Sequence, residues 1–173
     1  MHINFNPDKQ HTLGSAVNIS GTGLHTGISV DMILKPANPG FGYQFQRVDM
    51  PGMPVIKADC DLVTDTSRGT TLESGDVKVS TVEHILAALV GMGVDNCLIE
   101  LNGPEVPIID GSSAPFVEII EQAGVIEQDA AKAWYTIDTN ISFYDENKRV
   151  EMTALPSTDY KITTLIDFNS PVL

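Results

Sequence analysis

Residues 80–93 read STVEHILAALVGMG, and this stretch predicts a helix that packs into the core of a mixed α+β protein. Ser80 is a favourable N-cap residue, and Glu83 stands three residues later, as in a capping box. Apolar side chains follow at helical spacing, and two glycines end the pattern. The predicted apolar stripe consists of Val82, Ile85, Leu86, Leu89 and Val90. The stretch therefore predicts one amphipathic helix with this stripe in the core.

The chain before this helix is rich in predicted strands. Residues 11–20 are predicted to form one strand, and residues 28–36 form another in which apolar and polar side chains alternate. A shorter strand covers residues 43–47. Residues 50–58 are rich in Pro and Gly and predict a surface excursion, whereas the Ser and Thr residues of 64–72 indicate an extended segment.

A strand and a second helix are predicted after the first helix. Residues 96–101 form the strand, and residues 113–123 form the helix, with Pro115 in its first turn and Gly124 at its end. The composition changes near Ala130. The sequence therefore predicts a first domain of the α+β class, with several strands and two helices.

The second part of the chain is predicted to begin a new domain. The first domain covers residues 1–130, and the second covers residues 131–173, with strands over 134–143 and 150–168. So short a segment is below the size at which a domain folds alone. We therefore expect the second domain to be truncated.

Composition and charge exclude several classes of function. The chain has 173 residues, of which 42% are hydrophobic, and its net charge is −13. Such an acidic protein is not expected to bind nucleic acid or an anionic membrane surface, since both need clustered Lys and Arg. There is no apolar run long enough for a transmembrane segment. Cys60 and Cys97 are predicted as two buried thiols in a reducing compartment, and the protein is predicted to be cytoplasmic.

Glu83 and His84 are adjacent on the predicted helix and allow two interpretations. In the structural one, Glu83 completes the capping box and His84 is a packed core histidine. In the functional one, the imidazole holds a zinc ion and the carboxylate takes a proton from metal-bound water. Adjacent helical residues point about 100° apart, so the functional interpretation requires a helix start or a concave wall.

Two glycine-containing motifs hold further candidate residues. Residues 21–27, GTGLHTG, predict a tight hairpin with His25 at its tip, either exposed and inert or aimed into a site. Residues 65–72, DTSRGTTL, place Arg68 beside Gly69. This arginine either holds a phosphate or a sugar hydroxyl, or it is a solvated residue on a turn.

The motif PEVPIIDGSSAPF, residues 104–116, is interpreted as structural on its residues alone. Its prolines restrict the turn, Asp110 is expected to accept hydrogen bonds from backbone amides, and Phe116 is expected in the core. Anion binding ahead of the second helix is the alternative.

A catalytic zinc requires three protein ligands and an open position for water. The chain contains four histidines, His2, His11, His25 and His84, and neither an HExxH nor an HxxxD pattern. If His84 is a zinc ligand, its partners lie far along this chain or beyond its last residue.

Taken together, these motifs resemble the UDP-3-O-acyl-N-acetylglucosamine deacetylases, which are zinc enzymes of lipid A biosynthesis. The resemblance rests on GTGLHTG, on STVEHILAAL followed by GMGVDN, and on PEVPIIDGSSAPF, in the family's order and spacing. The later IDFNSP, residues 166–171, resembles the start of the family's second domain. The resemblance covers nearly the whole chain.

The resemblance implies a fold of two similar α+β domains, each a two-layer sandwich of sheet and helices, with the active site between them. It implies that His84 is a ligand of Zn²⁺, that Glu83 is the general base, and that His25 lines the active-site cleft. Arg68 and Gly69 would lie near the sugar, and Asp110 would support the site without reacting. The implied substrate is UDP-3-O-acyl-N-acetylglucosamine, from which the family enzyme releases acetate.

The family's other zinc ligands, a His and an Asp on a helix of its second domain, have no counterpart in this chain. The resemblance therefore predicts that the chain alone is inactive and binds zinc poorly, and that its uncovered interdomain face can drive self-association. Some family members are fused to a dehydratase that acts on 3-hydroxyacyl chains. The competing hypothesis is a non-catalytic α+β domain that binds a ligand or partner, in which Glu83 and His84 are structural.

Overall fold

The computed structural model describes residues 8–166, which divide into two compact units. We call residues 8–132 the first unit and residues 133–166 the second unit. This division lies close to the change in composition near Ala130. That the second unit is the start of another domain stays a prediction.

The first unit is built from short strands and two α-helices. A single turn of 3-10 helix, Cys60–Leu62, joins two of the strands. The elements in chain order are β1 (Lys9–Leu13), β2 (Val17–Thr22), β3 (Ser29–Pro36), β4 (Tyr43–Arg47), β5 (Val55–Lys57), β6 (Val63–Asp65), β7 (Thr71–Ser74), β8 (Val77–Ser80), α1 (Glu83–Gly91), β9 (Cys97–Leu101), α2 (Ala114–Ala123) and β10 (Val125–Ala131).

The main sheet has five strands in the order β2-β3-β9-β4-β5. The central strand β9 runs antiparallel to β3 and parallel to β4. Side chains alternate between the two faces, so that Val30, Met32 and Leu34 are fully buried on one face. This face and the apolar sides of α1 and α2 share one hydrophobic core, to which Leu89 and Phe116 contribute. The predicted α+β class is confirmed.

Two smaller sheets complete the first unit. Strands β6, β7 and β8 form an antiparallel sheet, and β1 pairs with β10. The single strand predicted over residues 11–20 is in fact two strands, since the chain bends between β1 and β2. The predicted surface excursion over 50–58 contains the edge strand β5.

The start of α1 differs from the predicted capping box. Ser80 is the last residue of β8, where its N–H donates to the carbonyl oxygen of Pro104 at 2.9 Å. Thr81 then adopts a left-handed conformation, with φ +60°. The helix therefore begins at Glu83, after Val82, and has no side-chain cap. The capping-box prediction is wrong because the pairing of Ser80 in a strand prevents it from capping a helix.

The second helix is confirmed, whereas the strand after it was not predicted. Pro115 lies in the first turn of α2, and Gly124 follows its last residue with φ +71°. Strand β10 then continues to Ala131 and pairs antiparallel with β1. The sequence of β10, VIEQDAA, lacks the clear apolar alternation that identified the other strands.

The second unit contains one antiparallel hairpin, formed by β11 (Ile141–Asp145) and β12 (Val150–Ala154). The two predicted strands over 134–143 and 150–168 are therefore too long. Residues 155–166 form no strand, and residues 167–173, which include most of IDFNSP, lie outside the described residues.

The two cysteines differ in their surroundings. Cys97 is fully buried on β9, and this burial raises the pKa of its thiol to about 12. Cys60 is exposed, so the prediction of two buried thiols is wrong for this residue. Within residues 8–166, neither helix is long and apolar enough to span a bilayer.

Candidate active site

Glu83 and His84 are the first two residues of α1, which is the position that the functional interpretation requires. Their side chains are 39% and 29% exposed, and His84 Nε2 lies 4.0 Å from Glu83 Oε1. Glu83 Oε2 accepts a hydrogen bond of 2.9 Å from the N–H of Thr70. The carboxylate is therefore held by a neighbouring loop while one of its oxygens faces the imidazole.

The loop that contains Gly69 lies directly against Glu83. Gly69 has φ +155°, and a Cβ placed on it would lie 3.2 Å from Glu83 Oε1 and 3.5 Å from Thr81 Oγ1. The first of these distances is shorter than most contacts of a Cβ atom, whereas the second is an ordinary van der Waals contact. The position therefore favours glycine both for its backbone conformation and for the space beside the carboxylate.

The side chain of His25 reaches the same loop. Its ring atom Nε2 lies 2.9 Å from the carbonyl oxygen of Arg68, to which it donates in the tautomer that carries the proton on Nε2. Arg68 takes part through its backbone. His25, Arg68, Gly69, Glu83 and His84 thus form one continuous cluster, although they come from three separate segments of the chain.

Asp110 borders the cluster near His84. Its Oδ1 accepts hydrogen bonds of 2.9 Å from the N–H and the hydroxyl of Ser112, as expected for a structural turn. These hydrogen bonds lower the pKa of Asp110, and the charge of His84 lowers it further. The preceding residue, Ile109, has φ +54°, which is rare for a β-branched side chain and indicates local strain.

The residue that sequence reasoning missed is Glu105. It is fully buried and accepts hydrogen bonds from His25, Thr26 and Thr81. Burial alone would raise its pKa, but these hydrogen bonds lower the pKa below its ordinary value. The available signal was a single carboxylate in an otherwise apolar stretch, between Pro104 and Val106, where a charge requires buried partners.

The donor atoms of the cluster fit part of a zinc site. A partly exposed imidazole beside a carboxylate matches one ligand and one base. Within residues 8–166, the one group of three potential ligands is Asp59, Cys60 and Asp61, which is exposed and includes neither Glu83 nor His84. Among the described residues, no group of three potential ligands thus contains His84, whereas a catalytic zinc site requires three.

The fold and the site together define the class, an α+β sandwich with a partly exposed acid–imidazole pair at a helix start, bordered by two loops. Residues 10–173 of the chain match the family LpxC, UDP-3-O-acyl N-acetylglycosamine deacetylase, and the chain belongs to this family. The resemblance of its motifs to this family is therefore confirmed.

Three proteins that are similar in sequence to this chain are deacetylases of this family or include one. The chain is 46% identical over 164 residues to the UDP-3-O-acyl-N-acetylglucosamine deacetylase of Myxococcus xanthus, with 95% of this chain and 52% of that protein covered. It is 45% identical over 164 residues to the deacetylase of Methylococcus capsulatus, covering 95% of this chain and 53% of that protein. It is also 45% identical over 165 residues to the bifunctional enzyme LpxC/FabZ of Bacteroides thetaiotaomicron, covering 95% of this chain and 36% of that enzyme. The chain thus spans about half the length of the two deacetylases, and a smaller share of the bifunctional enzyme.

Proposed function

We propose that this chain supplies the general base and one zinc ligand of a deacetylase that removes the N-acetyl group from UDP-3-O-acyl-N-acetylglucosamine, in the cytoplasm, during lipid A biosynthesis. The observation that carries the proposal is the placement of Glu83 and His84 side by side at the start of α1. The structural alternative for Glu83 was helix capping, and this residue instead accepts a hydrogen bond from Thr70.

The chemistry follows from the two side chains. His84 would hold the zinc ion, which when bound supplies a Lewis acid that makes water acidic enough to ionise near neutral pH. Glu83 would take the proton of the attacking water, since its Oε2 is held by Thr70 and its Oε1 faces the imidazole. Hydrolysis of the acetamide then gives acetate and the free amine.

The neighbouring residues have supporting roles in this proposal. His25 would line the cleft, with its ring oriented by the carbonyl of Arg68. Gly69 would let the substrate sugar approach the backbone next to Glu83, since it has no side chain. Asp110, with two hydrogen bonds to Ser112, would stabilise the turn beside His84.

The proposal is tested in the full-length protein that contains this chain. Glu83→Gln should retain zinc and lower kcat on the order of 100-fold or more, since a general base contributes rate enhancements of this size. His84→Ala should lose both zinc and turnover. Metal content by atomic emission and acetate release from the UDP-sugar are the measurements.

The matched control is Glu118→Gln, because Glu118 is an exposed glutamate on the other helix, α2. Its turnover and zinc content should equal those of the wild type. Unchanged turnover in both the Glu83 and the His84 variants would refute the proposal and would favour a non-catalytic binding domain.

We further propose that the 173-residue chain alone is inactive and self-associates. Among its described residues no group of three potential ligands contains His84, and the hairpin of the second unit exposes an apolar face. In that hairpin Phe143 lies opposite Met152, and these side chains are 59% and 66% exposed. Sedimentation that shows only monomer at high concentration would contradict the self-association.

A further inference from the structure

Glu105 is a buried carboxylate at the meeting point of two segments that border the candidate site. Its side chain is 0% exposed. Oε1 accepts from the hydroxyl of Thr81 at 2.8 Å and from the N–H of His25 at 3.1 Å. Oε2 accepts from both the N–H and the hydroxyl of Thr26, each at 2.8 Å. Both oxygens are therefore in use, and every donor comes from a residue close to the site.

The first segment that Glu105 holds leads directly into α1. Thr81 is buried and has φ +60°, a conformation that β-branched residues rarely adopt. Its hydroxyl donates to Glu105, which holds the residue in place. Because Thr81 turns the chain from β8 toward α1, its conformation determines where Glu83 and His84 begin the helix.

The second segment is the turn that carries His25. The carboxylate accepts from two consecutive backbone N–H groups of this turn, those of His25 and Thr26. A Cβ on Gly23 would lie 2.5 Å from Glu105 Oε2, so glycine at this position leaves the space that the carboxylate occupies. The ring of His25 then reaches the carbonyl oxygen of Arg68. The carboxylate of Glu105 thus holds both segments that border Glu83, namely Thr81 before α1 and the His25–Thr26 turn.

We propose that Glu105 is a positioning residue for the reaction, which holds Thr81 in its left-handed conformation and the His25–Thr26 turn in register so that Glu83, His84 and His25 face one another. This inference rests on the proposed function, since it assigns a role within the same site. Glu105 itself does not touch the reacting atoms.

A neutral amide is a poorer partner than the carboxylate for these donors. Glutamine has one acceptor oxygen, and its NH2 group would face the backbone N–H of either Thr26 or His25, neither of which can act as an acceptor. In either orientation of the amide, an N–H group of the His25–Thr26 turn therefore loses one of its acceptors, and if the NH2 group faces Thr81, its hydroxyl no longer donates. Glu105→Gln therefore changes the positions of neighbouring groups while it preserves the volume of the buried side chain.

The test is Glu105→Gln in the full-length zinc-loaded protein. We expect kcat to fall on the order of 10- to 100-fold, because small misplacements of catalytic groups have effects of this size, while zinc content and KM change little. The matched control is Glu73→Gln, since Glu73 is an exposed glutamate that accepts from the hydroxyl of Thr64. This control should keep the wild-type kcat.

A second substitution separates positioning from general support of the fold. Glycine adopts a positive φ without strain, so in Thr81→Gly the hydrogen bond to Glu105 is no longer needed to hold residue 81 in this conformation. The double variant Glu105→Gln/Thr81→Gly should therefore have a kcat several-fold above that of Glu105→Gln alone. The inference would be overturned if Glu105→Gln kept the wild-type kcat, or if it lost zinc to the same extent as turnover. It would also be overturned if the effects of the two substitutions on kcat were simply additive in the double variant.

Two further measurements keep the test decisive. If Glu105→Gln fails to fold, Thr81→Val removes only the hydroxyl that Glu105 binds, and it should lower kcat with zinc retained; an unchanged kcat would overturn the inference. Amide hydrogen exchange at His25 and Thr26 should accelerate in Glu105→Gln, and unchanged exchange would contradict the clamp. Hydrogen exchange does not depend on turnover. If the wild type had no deacetylase activity, the proposed function would be refuted, while the exchange measurement would still show whether Glu105 holds the His25–Thr26 turn.

Discussion

Gly69 shows how one missing side chain shapes the candidate site. Alanine at this position would place a Cβ 3.2 Å from Glu83 Oε1 and would disfavour φ +155°. We expect Gly69→Ala to lower kcat of the full-length protein by about tenfold or more, because Glu83 must move. The free energy of unfolding should fall by about 1 kcal/mol because of backbone strain. Steady-state kinetics and urea denaturation measure the two effects.

The control for this prediction is Gly40→Ala. Gly40 also has a positive φ, of +77°, but a Cβ there would meet no atom within 4 Å. A similar loss of stability is expected, again about 1 kcal/mol, with kcat unchanged. If both variants lose the same fraction of turnover, the contact with Glu83 is not the cause.

At the residue scale, sequence reasoning identified side chains more readily than their partners. Glu83 and His84 are adjacent in the chain, so their pairing could be proposed from sequence alone. Glu105 lies about 80 positions along the chain from its partners His25 and Thr26, and a local sequence pattern cannot predict a contact between residues so far apart. The capping role assigned to Glu83 was wrong because the pairing of Ser80 in a strand, which is also a long-range contact, decided the helix start.

Helix α1 offers a direct test of the core at the element scale. Leu89 is fully buried, whereas its neighbour Val90 is 63% exposed. Leu89→Ala should lower the free energy of unfolding of the chain by about 2–5 kcal/mol, because it removes apolar contacts and leaves a cavity.

Val90→Ala is the control on the same helix, and it should change the stability by no more than about 0.5 kcal/mol. Urea denaturation of both variants gives the comparison. Equal losses in the two variants would mean that the buried face of α1 is not the one described.

Elements with strong local patterns were predicted, and those that depend on distant pairing were not. The alternation in β3 and the Pro115 and Gly124 signals of α2 are contained within each segment. By contrast, β10 has three consecutive polar residues in the middle and no fully buried position, and it is a strand because it pairs with β1. The edge strand β5 likewise depends on its pairing with β4.

At the scale of the whole molecule, the hydrophobic core belongs to the first unit. The buried apolar side chains extend from Leu13 to Ala123, and none of the described residues from 133 to 166 is buried. A chain that ends at Lys132 should therefore unfold cooperatively, with a Tm close to that of the 173-residue chain. Circular dichroism during heating measures this.

The complementary fragment, residues 133–173, should lack a cooperative transition, since an isolated two-stranded hairpin is at best marginally stable in water. A broad, non-cooperative melt of the chain that ends at Lys132 would contradict the assignment of an independent first unit.

The pairing of β1 with β10 also bears on the order in which the protein is made. A ribosome releases the amino terminus first, so β1 is available long before β10, whose residues Val125 to Ala131 pair with Leu13 and Lys9. Until then β1, which contains the fully buried Leu13, lacks the strand with which it pairs in the finished fold. Nascent chains that end before β10 is complete should consequently be prone to aggregation and should bind chaperones.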